Sequence, residues 1–201
     1  MTAAETMPEE RAARTLPLVW ATHDNIAPFG QLLGGDEVPN AGLGIPFYKG
    51  SVIEGGNIDF QYTGRATMRC ARILPGGRDA VVWLERHMHM TQLFVPLGLE
   101  PFAMVLAPPN HERGAQTPDI DTVTAFAIPP GHALLLHIGT WHDFPIAPAG
   151  PITILTMNSD EVVEALRQMP APGEMDFGDV FKIDVQRRTG AQLHVDLTLP
   201  A

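Results

Sequence analysis

Glu85-Arg86-His87-Met88-His89-Met90-Thr91-Gln92, answered later in the chain by His137-Ile138-Gly139-Thr140-Trp141-His142, decides how this sequence is read. Four of the eight histidines fall in these two short segments, among apolar runs of strand length. A desolvated imidazole without a partner costs free energy, so such clustering needs a reason. Taken singly, each of these histidines is as readily explained by a hydrogen bond inside the fold; it is the set that asks for more. Residues two apart on a strand face the same side, so Glu85, His87 and His89 are expected to project together. Arg86, Met88 and Met90 then face the other way, Arg86 toward a structural ion pair or interface and the methionines into core or interface. Two histidine-bearing segments opposed across a small barrel would form a metal or acid–base site.

Working outward, short apolar runs recur between turn signals. Leu16–Trp20, Phe47–Ile53, Asn57–Tyr62, Ala66–Leu74, Val81–Leu84, Phe102–Leu106, Ala133–His137 and Pro151–Met157 all read as strands. Nineteen glycines and nineteen prolines supply the turns, which favours an all-β barrel or sandwich over a helical bundle. The 201 residues suffice for one domain with a sizeable core. Residues 1–13 are unpatterned and read as a disordered tail, and 14–158 as the main domain. Residues 159–201 read as an extension. In it Ser159 caps a helix over Glu161–Met169, with Val162, Val163 and Leu166 on one face. A hairpin is expected from Val180–Gln186 and Gln192–Leu199 around Arg187-Arg188-Thr189-Gly190.

A net charge of −10 argues against a nucleic-acid partner, whose phosphates demand a basic face, and against an anionic membrane surface. The single cysteine, Cys70, excludes an internal disulfide and reads as a small core residue. With no export signal at the start and no apolar run long enough to span a bilayer, a cytoplasmic protein is expected.

Leu84-Glu85-Arg86-His87 with Thr91-Gln92-Leu93-Phe94-Val95-Pro96, paired with His137-Ile138-Gly139-Thr140-Trp141-His142-Asp143-Phe144-Pro145, resembles the two signatures of the ureidoglycolate lyase family. Ile26-Ala27-Pro28-Phe29-Gly30, Arg72 and Leu106-Ala107-Pro108-Pro109 match in the same order. The similarity runs over roughly residues 16–157. It implies a cupin fold, a double-stranded β-barrel, here followed by the C-terminal helix and hairpin. It also implies a homodimer, and a carbon–nitrogen lyase that splits ureidoglycolate, or a related ureido or amino hydroxy acid, into urea and glyoxylate or their analogues.

Laid on the cupin metal pattern, the resemblance implies Glu85, His87, Gln92 and His142 as ligands of a divalent ion such as nickel, manganese, iron or zinc. A metal-free site in which the same groups bind substrate is an alternative. His89, where the family lacks a histidine, makes a true His-x-His and offers a second ligand set with His87 and His142. For proton transfer His137 is the first candidate and His89 the second. Arg72 or Lys49 would hold the carboxylate of a small substrate, Lys49 standing near where the family has an arginine. Ile138 also replaces a family arginine, which suggests related chemistry on a less polar substrate. Two rival readings remain from other classes: a metal-dependent cupin dioxygenase or isomerase, and a non-catalytic ligand-binding barrel.

Overall fold

The computed structural model describes residues 11–35, 42, 44, 47–76 and 78–201. Residues 1–10 of the expected tail and most of the loop over 34–44 lie outside the described residues. Thirteen short strands are described: β1 (Arg14–Trp20), β2 (Gly30–Gly34), β3 (Ala66–Ile73), β4 (Trp83–Arg86), β5 (Gln92–Pro96), β6 (Phe102–Ala107) and β7 (Thr124–Ile128), then β8 (His132–Leu136), β9 (Trp141–His142), β10 (Ile152–Ser159), β11 (Met175–Phe177), β12 (Val180–Asp184) and β13 (Leu193–Asp196). The helices are short: α1 (His23–Ile26), α2 (Asp160–Arg167) and α3 (Val185–Thr189). No described helix is long and apolar enough to cross a membrane.

The strands form an eight-stranded sheet in the order β11-β12-β4-β9-β6-β7-β1-β13 and a five-stranded sheet in the order β2-β8-β5-β10-β3. This is the expected all-β, cupin-like barrel. Period-two alternation shows which side is inside. On β10, Ile154, Thr156 and Asn158 are buried while Thr153, Leu155 and Met157 are half-buried. All six residues of β6 are buried, because cores cover both of its faces. Phe102, Met104 and Leu106 join Phe94, Phe126, Leu134, Leu136 and Ile154 between the sheets. Ala103, Val105 and Ala107 face outward, against Leu84, Trp141, Ile183, Val185, Leu193 and Val195.

That second core changes the reading of the C-terminal segment. β12 pairs antiparallel with β4, and β13 pairs parallel with β1, at the far side of the same sheet. The expected hairpin between these two segments is therefore absent. Its place is taken by α3, capped by Asp184 and ended by left-handed Gly190. The hairpin that does form is β11–β12. The helix starts as the sequence suggested, with the Ser159 hydroxyl accepting the Val162 N–H at 3.2 Å. Its buried side is Val162 and Ala165, packed with Met90, Met175 and Val180, while Leu166 stays 40% exposed.

Two expected strands do not form. Phe47–Gly50 is a 3₁₀ turn with Tyr48 and Lys49 in the left-handed region, and Asn57–Tyr62 contributes only the bridge between Tyr62 and Met90. Tyr48, Ile53 and Phe60 in these stretches are exposed, Ile53 at 82%, with no strand facing them among the described residues. Cys70 is exposed rather than core, because β3 is an edge strand and Cys70 lies on its outer side.

Candidate active site

The site is one row of cross-strand neighbours on the inner face of the larger sheet. Lys182 on β12 stands opposite Glu85 on β4, Glu85 opposite His142 on β9, and His142 opposite Leu106 on β6. Directly paired residues share a face, and Leu106 belongs to the inner core, so the whole row looks into the barrel. His87, just past the end of β4, adds a second imidazole with its ring centroid 5.2 Å from that of His142. Glu85 Oε1 lies 3.9 Å from His87 Nε2 and 3.8 Å from His142 Nε2, while Oε2 lies 3.6 Å from Lys182 Nζ.

The protons on the two rings are fixed by their outer partners. His87 Nδ1 donates to the Asp179 carbonyl at 2.6 Å, and His142 Nδ1 donates to the Thr140 carbonyl at 2.9 Å. A carbonyl oxygen only accepts, so each neutral ring carries its proton on Nδ1 and its lone pair on Nε2. Both Nε2 atoms are buried and have no hydrogen-bond partner among the described residues. Glu85, His87 and His142 each offer a ligand atom, all within 4.8 Å of one another. Two imidazole lone pairs facing a carboxylate oxygen are acceptors without a donor among the described residues, and a buried unmet acceptor is costly. A divalent cation satisfies all three together, and this N/O set suits nickel, manganese, iron or zinc. The residues fit the group.

Gln92 is buried, with its amide Nε2 donating to Asn158 Oδ1 at 2.8 Å. That bond leaves Oε1 buried and unpartnered, a neutral oxygen available as a further donor. Electrostatics support the same arrangement. Burial opposes the charge of Glu85, but His87, His142 and Lys182 outweigh it and hold the carboxyl below its usual range. Burial, reinforced by His87, pushes His142 down to about 4 against the pull of Glu85. His142 is thus neutral near pH 7, and Lys182 adds to the two imidazoles as a third neighbour that favours the charge of Glu85.

The other sequence-derived candidates stand apart from this cluster. β4 ends at Arg86, so strand parity lapses before His89. Its side chain is 51% exposed and pairs with Glu161 at 3.2 Å, a contact that, with Asp179, raises its pKa. The His87–His89–His142 set is not assembled. His137 follows Leu136, which faces the inner core, and its own Nε2 donates to the Ala27 carbonyl at 3.3 Å. Arg72 is exposed on β3, on the same outer side as Cys70. Lys49 is exposed on its 3₁₀ turn.

Two residues that sequence reasoning passed over touch the cluster instead, and a third, exposed on β3, lines a neighbouring cavity. Lys182 and Asp179 come from the C-terminal segment; the one signal was a lysine among the apolar residues Val180, Phe181 and Ile183. Arg69 pairs with Thr156, whose side chain is buried inside, so Arg69 has the inward parity that Arg72 lacks. Arg69, Thr156 and Asn158 line a cavity of about 390 Å³ with Phe144, Val163 and Leu166. Asn158 links that cavity to Gln92.

With this geometry established, comparison with known proteins adds one match. The model of the family described as ureidoglycolate lyase matches residues 13–170. No protein of curated function matches the chain.

Proposed function

The chain belongs to the ureidoglycolate lyase family, a family of lyases, and from that premise we propose that it cleaves the carbon–nitrogen bond of ureidoglycolate or a close ureido hydroxy acid in the inner cavity. The observation that carries the assignment to this cavity is the pair of buried, unpartnered Nε2 atoms facing the Glu85 carboxylate. Glu85, His87 and His142 would hold a divalent cation, with Gln92 Oε1 as a further donor. Such a cation supplies charge stabilisation at the substrate oxygen where the carbonyl forms.

The protein's own groups complete the reaction. Arg69, at the cavity wall, holds the substrate carboxylate through charge-assisted hydrogen bonds. Glu85 Oε2 takes the hydroxyl proton as the carbon–oxygen double bond forms and the carbon–nitrogen bond breaks. Lys182 Nζ gives a proton to the departing nitrogen, releasing urea and leaving glyoxylate. The separation of 3.6 Å between Oε2 and Nζ lets the proton pass back with a small adjustment, which restores the starting charges. His137 and His89 hold no part in this scheme. A dimer, as the family resemblance implies, would find an exposed apolar strip on β3, where Met68 is 65% exposed, with the adjoining Leu74 63% exposed.

The test is product release. Purified protein loaded in turn with nickel, manganese, iron and zinc is given ureidoglycolate, and urea and glyoxylate are measured in equal amounts. Failure to form either product with any metal, alongside oxygen uptake on small organic acids, would replace the lyase reading with an oxygenase.

A further inference from the structure

β11 and β12 are joined by a two-residue turn. Phe177 pairs with Val180, and the residues between them, Gly178 and Asp179, both lie in the left-handed region with φ of 62° and 56°. This is the hairpin turn whose twist suits the flanking strands, and glycine or asparagine usually fills it. Gly178 has a steric reason to be there, since a Cβ would sit 2.3 Å from the Ala165 Cβ on α2. Asp179 has no such reason; an aspartate takes this conformation less readily than glycine. Its side chain is nevertheless only 1% exposed.

What Asp179 does there is grip three consecutive residues as they leave β4. Its carboxylate accepts the N–H of Met88 at 2.6 Å and the N–H of His89 at 3.0 and 3.1 Å. Its backbone carbonyl accepts the His87 Nδ1–H at 2.6 Å. Strain held at one residue that over-determines the position of a buried ligand is a mark of a functional clamp. The turn lies beyond residues 13–170, the part matched by the family.

We propose that Asp179 is a positioning residue of the active site: from the C-terminal segment it fixes the tautomer and direction of His87, so that the Nε2 lone pair faces Glu85 and His142. This rests on the reading of Glu85, His87 and His142 as a metal-holding set. The carbonyl sets which nitrogen of His87 is protonated. The carboxylate holds the backbone of residues 88 and 89, without which the ring can swing out of line. Partners that orient a ligating histidine are worth roughly 10- to 100-fold in metal affinity.

The experiment uses the full chain and two readouts. Side-chain ¹⁵N NMR of the metal-free protein reports the His87 tautomer, and calorimetric titration with zinc reports affinity. Wild type is expected to show a single Nδ1-protonated His87. Asp179→Gly, which suits the turn but lacks the carboxylate, is expected to show mixed tautomers and zinc binding weakened by about 10- to 100-fold. Asp179→Asn keeps the oxygen that meets both amides and should restore both signals. If the glycine variant does not fold, Asp179→Ser, too short to reach both amides, serves in its place. A glycine or serine variant with one His87 tautomer and wild-type zinc affinity overturns the proposal. Should wild type bind no zinc, nickel, manganese or iron, the metal-site reading falls, and the tautomer signal alone decides the role of Asp179.

Discussion

Glu85 and Arg86 are adjacent on β4, both buried enough to matter, and the two faces they serve treat charge in opposite ways. Outward, the Arg86 guanidinium lies 4.4 Å over the Trp141 ring and 4.8 Å over the Phe181 ring. One of its N–H groups reaches Asn110 Oδ1 at 3.3 Å, the same oxygen that accepts the Trp141 indole N–H at 2.8 Å. A buried cation there is spread against aromatic faces and an amide, within a core that includes Leu84 and Ile183. Inward, two imidazoles converge on a carboxylate with both Nε2 acceptors open among the described residues. Burial alone does not separate the two. Of the outer cation's buried nitrogens only Nε lacks a hydrogen bond among the described residues, and two aromatic faces lie against it. The inner face instead turns two imidazole Nε2 acceptors on one carboxylate with no donor between them.

The widest separation should come from exchanging damage between the faces. Glu85→Gln keeps the shape of the inner row but removes its charge, and kcat should fall by about 10²- to 10⁴-fold. The melting temperature of the metal-free protein should fall somewhat, because a carboxyl held below its usual range stabilises the fold while ionised and because the amide leaves Lys182 without its partner. Chelation should abolish activity in wild type, and returning the metal should restore it. A Glu85→Gln enzyme that keeps near-normal turnover would mean that the open inner face is not the site.

Arg86→Met tests the outer face. Removing the cation from between Trp141 and Phe181 should lower stability by about 2 kcal/mol, the scale of a desolvated cation–π contact, as read by urea denaturation. Turnover per folded molecule should stay at the wild-type level. A large loss of kcat with unchanged stability would erase the contrast between the faces.

Much of this contrast was legible in the sequence, and its gaps have physical causes. Opposite roles for Glu85 and Arg86 follow from strand parity, and the two signatures bring His87 and His142 into one cavity. His89 broke the pattern because parity holds only within a strand, and β4 stops at Arg86. Arg72, expected with Lys49 as a candidate to hold the substrate carboxylate, lies on the outer side of β3. Which side of β3 faces inward is set by its pairing with β10, and that register is not written in either strand alone. The reach of the C-terminal segment was hidden for a similar reason. Two apolar runs flanking a short basic stretch read as a hairpin, whereas each found a partner far away, on β4 and on β1.

A smaller effect distinguishes the two arginines of β3. Losing a charge-assisted hydrogen bond to the substrate carboxylate is worth about 1.5–3 kcal/mol, so Arg69→Ala should raise KM by roughly 10- to 100-fold. Arg72→Ala, on the outer side, should leave KM unchanged. The reverse outcome would place the barrel interior on the other side of β3.

The smallest expected effect concerns the histidines that turn away. His137 rests its Nε2 against the Ala27 carbonyl, and its backbone N–H is held by the Phe29 carbonyl at 2.9 Å. Both contacts are with backbone carbonyls of the segment after α1. His89 pairs with Glu161, a contact between half-exposed side chains. Neither ring meets Glu85, His87 or His142 among the contacts of the described residues. His137→Ala and His89→Ala should therefore each change kcat and zinc affinity by no more than about twofold, the scale of a surface substitution. The Gly139 N–H donates to the His87 carbonyl at 2.8 Å, which ties the 137–140 turn to the ligand segment and makes His137 the stricter test of the two. A drop of several hundredfold in kcat for His137→Ala with zinc binding intact would show that its ring reaches the substrate, and proton transfer would then pass from Lys182 to His137.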